Sequence, residues 1–163
     1  MIPAEHTKII VEAELPGAQA WAQRRSLLLQ WVPEELQVRV TLMQPVTSEV
    51  FYLRGFFDDY RAMAPEWSFT DAQWVSTGDQ HYSPPTVQTP HGASIFINHE
   101  NRAVICVPFN RLAYKQKEGP HTDWGGPANW LNVKAPHIHA DTVADMLQAI
   151  YRDFVYSRGR MRP

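Results

Sequence analysis

The chain has 163 residues, of which 44% are hydrophobic and 20% charged, proportions typical of a folded globular domain. Its 15 basic and 17 acidic residues give a formal net charge of −2, so no overall positive charge draws it to nucleic acid or to an anionic membrane. The first twenty residues lack the apolar core of a signal peptide, and no apolar run is long enough to span a bilayer. We therefore expect a single cytoplasmic domain over residues 1–163, without nucleic-acid or membrane partners.

The first half of the chain is predicted to form a helix followed by antiparallel strands. Apolar side chains recur at helical spacing over residues 18–32, after Pro16 and Gly17, whereas residues 7–15 fit a strand or a helix equally well. From residue 36 the apolar period changes to two, which indicates half-buried strands. The predicted strands cover residues 36–42, 50–57 and 67–69. Short connections between consecutive strands favour an antiparallel meander.

Two irregular stretches dominate the second half of the chain. Residues 71–92 and 108–136 are rich in Gly, Pro and polar residues, which predicts long loops of the kind that often carry function. Between them, the pattern predicts a strand over 93–97, a turn over 98–101 and a core segment over 104–107.

The last predicted element is an amphipathic helix. Asp141 can serve as its N-cap, an apolar face runs from Val143 to Val155, and Gly159 ends it. The order of elements predicts an α+β fold. It comprises an N-terminal helix, an antiparallel meander of about four strands, a cysteine segment and a long C-terminal helix.

Cys106 is the only cysteine in the chain, so it cannot form an internal disulfide. A lone cysteine flanked by Val and Ile is either a small buried hydrophobe or a nucleophile. A thiolate nucleophile forms thioesters that amines can open later. The surroundings of Cys106 leave both interpretations open.

Two short motifs carry a resemblance to a known family. Tyr60, Pro65, Trp67 and Phe69 stand at offsets 0, 5, 7 and 9, which resembles the Tyr-Pro-x-x-Pro-Pro-x-Val-x-Phe signature of ubiquitin-conjugating enzymes. Asn98 stands eight residues before Cys106, as the Asn of the family's His-Pro-Asn turn does, with Phe96 and Ile97 in place of His and Pro. Apolar residues flank Cys106 as they flank the family's active-site cysteine. The His121-Thr-Asp-Trp124 stretch is similar to the minimal bacterial proteins of this group, which belong to antiphage conjugation operons.

The resemblance implies a ubiquitin-conjugating (UBC) fold and an enzyme that needs no cofactor or metal. Cys106 would take a ubiquitin-like modifier as a thioester from an activating enzyme and pass it to an amine on a target protein. Asn98 would stabilise the oxyanion, or else only shape its turn. His121 would help to deprotonate the amine, or else be a solvated loop residue. Arg24 and Arg25, predicted to lie on the first helix, would meet the activating enzyme, or else form an ordinary solvated face.

Two other functional classes remain open from the sequence. A noncatalytic binding module of the same fold would bury Cys106 as a core residue. Alternatively, His137, His139 and Asp141 have the His-x-His-x-Asp spacing of metallohydrolase sites, although Thr142 stands where a further His is expected. The sequence thus predicts an acyl carrier built on Cys106, with these two alternatives.

Overall fold

The computed structural model describes residues 1–135 and 137–161, so Pro136, at the end of the second predicted loop, and residues 162–163 lie outside the described residues. Within the described ranges, two α-helices enclose a series of strands, with short 3-10 turns between them. The elements are α1 (Ala4–Gln23), β1 (Leu28–Val32), β2 (Gln37–Met43), β3 (Val50–Phe56), β4 (Glu66–Thr70), β5 (Gln88–Thr89), β6 (Gly92–Ala93), β7 (Phe96–His99), β8 (Arg102–Ile105) and α2 (Val143–Phe154).

The first four strands form one antiparallel sheet in the order β1-β2-β3-β4. Side chains alternate along β2 and β3, so that Val40 and its cross-strand partner Leu53 are buried while Arg39 and Arg54 lie on the other face. The helices α1 and α2 contact each other, and their buried side chains join those of the sheet in one hydrophobic cluster. The predicted α+β architecture of N-terminal helix, four-stranded antiparallel sheet and C-terminal helix is therefore confirmed.

The boundaries of the first helix were predicted wrongly. The helix α1 includes the ambiguous residues 7–15 and ends at Gln23, and residues 28–32 form the edge strand β1. Ser26 at φ 55° breaks the helix, and the strand that follows pairs with β2 over its whole length. Pro16 lies inside the helix. Its cost of about 3 kcal/mol is offset by the burial of apolar side chains along α1.

Three later boundaries also differ from the prediction. Residues 93–97 do not form one strand, since Ala93 belongs to β6 and β7 begins at Phe96, where it pairs with β8 in a separate hairpin. Asn98 belongs to β7, and the turn consists of Glu100 and Asn101, both at positive φ. Thr142, and not Asp141, caps α2, because its hydroxyl accepts from the N–H of Asp145 in a reciprocal capping box.

The residues of the Tyr60 to Phe69 motif lie in the core. Tyr60 is fully buried, stacks on Trp130 with ring centroids 6.0 Å apart and donates its hydroxyl to Glu14 at 2.9 Å. Trp67 is also fully buried, and Phe69 stacks on Phe154 of α2. These contacts join β4 and the segment before it to both helices.

Within the described part of the chain, no helix is long and apolar enough to cross a membrane.

Candidate active site

The β7–β8 hairpin holds Cys106 at the point where β8 ends. Its turn residues Glu100 and Asn101 have φ values of 49° and 65°, as a tight two-residue hairpin turn requires. The N–H of Cys106 donates to the carbonyl of Ile95 at 2.7 Å, which continues the pairing of β7 and β8 by one step. The thiol is half-buried, so it is neither a core side chain nor fully open to solvent.

Asn110 fixes the segment that follows Cys106. This fully buried amide accepts from the N–H of Trp67 at 2.9 Å and donates to the carbonyls of Trp67 at 3.0 Å and Ile105 at 2.8 Å. Because a buried amide without partners is costly, these bonds tie the cysteine segment firmly to β4. Asn110 therefore has a structural role at the site.

The segment that carries His121 is held against residues 113–115. The N–H of His121 donates to Ala113 at 3.0 Å, and its carbonyl accepts from Lys115 at 2.9 Å. A Cβ on Gly119 would lie 2.4 Å from the carbonyl oxygen of Leu112, so only glycine permits this close return of the chain. His121 is thus brought back to the hairpin across a 15-residue separation from Cys106.

Cys106, His121 and Asp123 form a continuous line of hydrogen bonds. The Sγ atom of Cys106 lies 2.8 Å from Nε2 of His121, and Nδ1 of His121 lies 2.8 Å from Oδ1 of Asp123. Because a carboxylate only accepts hydrogen bonds, Nδ1 carries the ring hydrogen and Nε2 faces the thiol with its lone pair. This is the arrangement in which a histidine takes a proton from a nucleophile while a carboxylate orients the ring.

Burial determines the protonation state of the Cys106 thiol. It raises the pKa of the thiol to about 11, and the negative charge of Asp123 acts in the same direction. The hydrogen bond from His121 lowers the pKa of Asp123, so that carboxyl is ionised near neutral pH. At pH 7 the thiol is therefore protonated and donates to Nε2 of His121, a group placed where it can act as a base for the thiol.

Trp124 covers one face of the His121 ring. The two ring centroids are 3.5 Å apart and the planes are 8° from parallel. The indole also meets Tyr114 edge to face at 5.6 Å, and Tyr114 is anchored by donating its hydroxyl to the carbonyl of Pro108 at 2.7 Å. Trp124 is itself half-buried beside His121.

A cavity of about 320 Å³ opens beside the thiol. Cys106, His121 and Trp124 line it together with the apolar side chains of Ile95 and Ile97. Its size is at the lower end of the range for small-ligand pockets. The thiol can therefore be reached from outside by a slender substrate.

Most of the remaining residues that line the cavity are polar. Arg152 donates through Nε to Asp153 at 3.2 Å and through Nη1 to the carbonyl of His137, and the buried Asp153 also accepts from the N–H of Ile95 at 2.8 Å. The rings of His137 and His91 stack with centroids 4.1 Å apart. Asp153, which forms an ion pair with Arg152 on α2, thus links this helix to Ile95, the residue that pairs with Cys106.

Among the predicted site residues, Cys106 and His121 meet and Asn98 does not join them. Asn98 is exposed on β7, next to Ile97, and successive strand residues point to opposite faces, so Asn98 points away from the cavity. It stands three positions from Ile95, the residue that pairs with Cys106, or roughly 10 Å along the strand. The predicted oxyanion role of Asn98 has no support from this position.

Arg24 and Arg25 lie just after α1, in the turn that leads to β1, and not on the helix. Arg24 is exposed. Arg25 donates to Gln148 of α2 at 2.6 Å, and its guanidinium lies over the ring of Trp21 at 4.7 Å. The Arg25 guanidinium is therefore partly engaged in contacts within the fold. Of the two, Arg24 is the more accessible to a partner.

The His137-x-His139-x-Asp141 motif does not converge on one point. His137 stacks on His91, whereas His139 contacts Asp141 at 3.1 Å and the carbonyl of Val133 at 3.2 Å. Within residues 1–135 and 137–161, no group of three or more His, Cys, Asp or Glu side chains is arranged to hold a metal ion. The motif forms part of the approach to α2.

Sequence reasoning missed the polar lining of the cavity. Asp153 had a usable signal, since it stands three residues after Ile150 and seven after Met146, on the apolar stripe of α2, where a carboxylate needs a buried partner. His91 had no such signal, because it lies in an irregular segment without periodicity.

The chain was also compared with known proteins. No family model matches it, and neither a curated protein nor a solved structure does.

Proposed function

We propose that this chain is a ubiquitin-conjugating-like acyl carrier with Cys106 as its nucleophile. In this proposal it takes a ubiquitin-like modifier from an activating enzyme and transfers it to an amine on a target protein, within a bacterial antiphage system. The observation that carries the proposal is the hydrogen-bonded line of Cys106, His121 and Asp123 beside an open cavity. The cytoplasm, which keeps a lone thiol reduced, is the compartment that suits this chemistry.

The first step is the transfer of an acyl group between thiols. As Sγ of Cys106 attacks the thioester carbonyl of the donor, Nε2 of His121 takes the thiol proton. The tetrahedral oxyanion collapses, the carbon–sulfur bond of the donor breaks, and the leaving thiolate takes the proton from the imidazolium. Asp123 stabilises the imidazolium while it exists.

The second step opens the new thioester. An amine attacks the carbonyl held on Cys106, Nε2 of His121 takes a proton from the amine nitrogen, and the carbon–sulfur bond breaks. An amide forms, and the proton on His121 returns to the sulfur of Cys106. The same base serves both steps, so one histidine is sufficient for the cycle.

The fold and the motif residues support this function over that of a generic thiol enzyme. A helix, a four-stranded meander and the cysteine follow one another in the order of the family that the sequence resembles. Tyr60, Trp67 and Phe69 are core residues, which gives their spacing a structural reason. The half-exposed thiol next to a base disfavours the noncatalytic alternative.

A second candidate function is hydrolysis. A Cys-His-Asp line also suits thiol hydrolases, in which His121 would activate water instead of an amine. The two functions share the acyl-enzyme on Cys106 and differ only in the nucleophile of the second step.

One reconstitution separates these possibilities. The purified chain is incubated with ATP, a ubiquitin-like modifier and its activating enzyme, or with a peptide thioester ending in Gly-Gly, and the adduct is measured by mass spectrometry. We expect a thiol-sensitive adduct that Cys106→Ala abolishes, with Arg24→Ala slowing only the reaction that uses the activating enzyme. Discharge is then compared in buffer with and without free lysine.

Acceleration of discharge by lysine, with the acylated lysine as product, supports the carrier. Discharge to water at the same rate with or without lysine would instead establish the hydrolase. If neither donor acylates Cys106, although the thiol reacts with iodoacetamide, the acyl-transfer proposal is wrong.

A further inference from the structure

The Cys106–His121 line leaves one degree of freedom of the histidine ring undetermined. Its two hydrogen bonds, to Cys106 at 2.8 Å and to Asp123 at 2.8 Å, fix the direction of the axis from Nδ1 to Nε2. Rotation of the ring plane about that axis is restrained only weakly by these bonds, because hydrogen bonds tolerate broad angles at the acceptor. The Asp123 carboxylate is also 71% exposed and therefore competes with water for its partner.

The stack with Trp124 restrains the motion that the hydrogen bonds leave free. At a centroid distance of 3.5 Å and an interplanar angle of 8°, the indole lies flat on the imidazole. Any tilt of the His121 ring would break the stack on one face. Tyr114, which is fully buried, supports the indole from the side, so the surface against which the ring rests is itself anchored in the fold.

We propose that Trp124 is a positioning residue that holds the plane of His121, so that the lone pair of Nε2 stays directed at the thiol of Cys106. The stack also suits the imidazolium that forms when His121 takes the thiol proton, since a cation is attracted to the face of an indole. This inference rests on the proposed role of His121 as the base. It assigns Trp124 to the reaction through His121 alone.

Alkylation of the native chain by iodoacetamide tests the inference. Because Cys106 is the only cysteine, every thiol alkylation reports on it. The rate is measured from pH 6 to 11 for the unchanged chain, Trp124→Ala and Trp124→Phe, each with and without His121→Ala. Trp74→Ala is the matched control, since Trp74 is another half-buried indole, which packs edge to face on Tyr52 at 5.3 Å and does not line the cavity.

Trp124→Ala should lower the part of the rate that depends on His121 by roughly 2- to 12-fold, the range that aromatic pairs contribute. Trp124→Phe, which keeps an aromatic face, should restore most of it, and Trp74→Ala should leave it unchanged. In the His121→Ala background, Trp124→Ala should have no further effect, because the indole acts only through the histidine.

Two results would overturn the inference, and they differ from failure of the proposed function. An equal loss on Trp124→Ala with and without His121 would assign the indole a general structural role. An unchanged rate in Trp124→Ala, while His121→Ala is slow, would leave the base in place and remove Trp124 from the mechanism. If His121→Ala itself has no effect at any pH, the pairing of Cys106 with His121 fails instead.

Discussion

Replacing Asp123 by Asn distinguishes an essential carboxylate from an auxiliary one. In a buried triad, the equivalent change costs about 10⁴ in rate, because the amide stabilises the wrong histidine tautomer. Asp123 differs, since 71% of its side chain is exposed, and water can replace either partner of the hydrogen bond. An exposed charge-assisted pair contributes at most about 1 kcal/mol, so we expect Asp123→Asn to lower the His121-dependent alkylation rate by only about 2- to 5-fold at pH 7.5.

The same substitution should have the opposite sign at high pH. The Asp123 charge helps to raise the pKa of Cys106 to about 11, so its removal should lower that pKa and increase the thiolate fraction near pH 10. The pH–rate curves of the two chains should therefore cross, with Asp123→Asn slower near neutrality and faster above about pH 10. Glu34→Gln, which removes an exposed carboxylate that does not line the cavity, should change the alkylation rate neither near neutrality nor above pH 10.

The assay is the second-order rate of iodoacetamide alkylation, followed by mass spectrometry from pH 6 to 11. A loss near 10⁴ at pH 7.5, equal to that of His121→Ala, would refute the argument from exposure. Parallel curves without a crossing would refute the electrostatic contribution of Asp123 to the thiol.

Two further predictions concern Asn98 and the thiol. Asn98→Ala should change the rate at which a preformed Cys106 thioester discharges to lysine by less than about 3-fold in single-turnover measurements. The reason is that an exposed side chain of β7 that points away from the cavity is not an oxyanion donor. A loss of 10²-fold or more would restore the role predicted from the spacing of Asn98. The raised pKa of Cys106 should stabilise the native state below about pH 9, with that contribution lost as the pH rises towards about 11, because the unfolded thiol ionises first. In urea unfolding, the free energy of unfolding of the unchanged chain should therefore fall more steeply with pH over this range than that of Cys106→Ser, by at most about 1 kcal/mol per pH unit. The buried tyrosines Tyr60 and Tyr114 contribute equally to both chains and cancel in the difference. Equal slopes of the two free energies against pH would contradict this.

Apolar periodicity predicted β2 and β3 well because one face of each strand is buried and the other is more exposed. Alternation along β2 and β3 reproduces their observed bounds to within one residue. The same reasoning failed at residues 28–32, where Leu28, Leu29 and Val32 continue the helical spacing from Trp21. The helix is ended there by the left-handed conformation of Ser26, which the apolar pattern does not encode.

The site was predicted only where local spacing and chemistry coincide. Cys106 and His121 were predicted from the resemblance of their segments to ubiquitin-conjugating enzymes, but no pattern indicated the 2.8 Å contact between them. That contact depends on the return of the chain at Gly119 and on the buried amide of Asn110, both of which lie in irregular structure. Periodicity carries no information on such segments.

Cys106 and His121 are held in place in two different ways, the first by regular strand pairing and the second by a loop. Cys106 follows a regular hairpin and is held there by hydrogen bonds of the strand pairing. His121 lies on a long loop, where single residues such as Gly119 and Tyr114 replace the repeated bonds of a strand. A loop held by few contacts is sensitive to each of them. It follows that Gly119→Ala should slow the His121-dependent alkylation of Cys106 by iodoacetamide, because it shifts His121, while the main sheet stays in place.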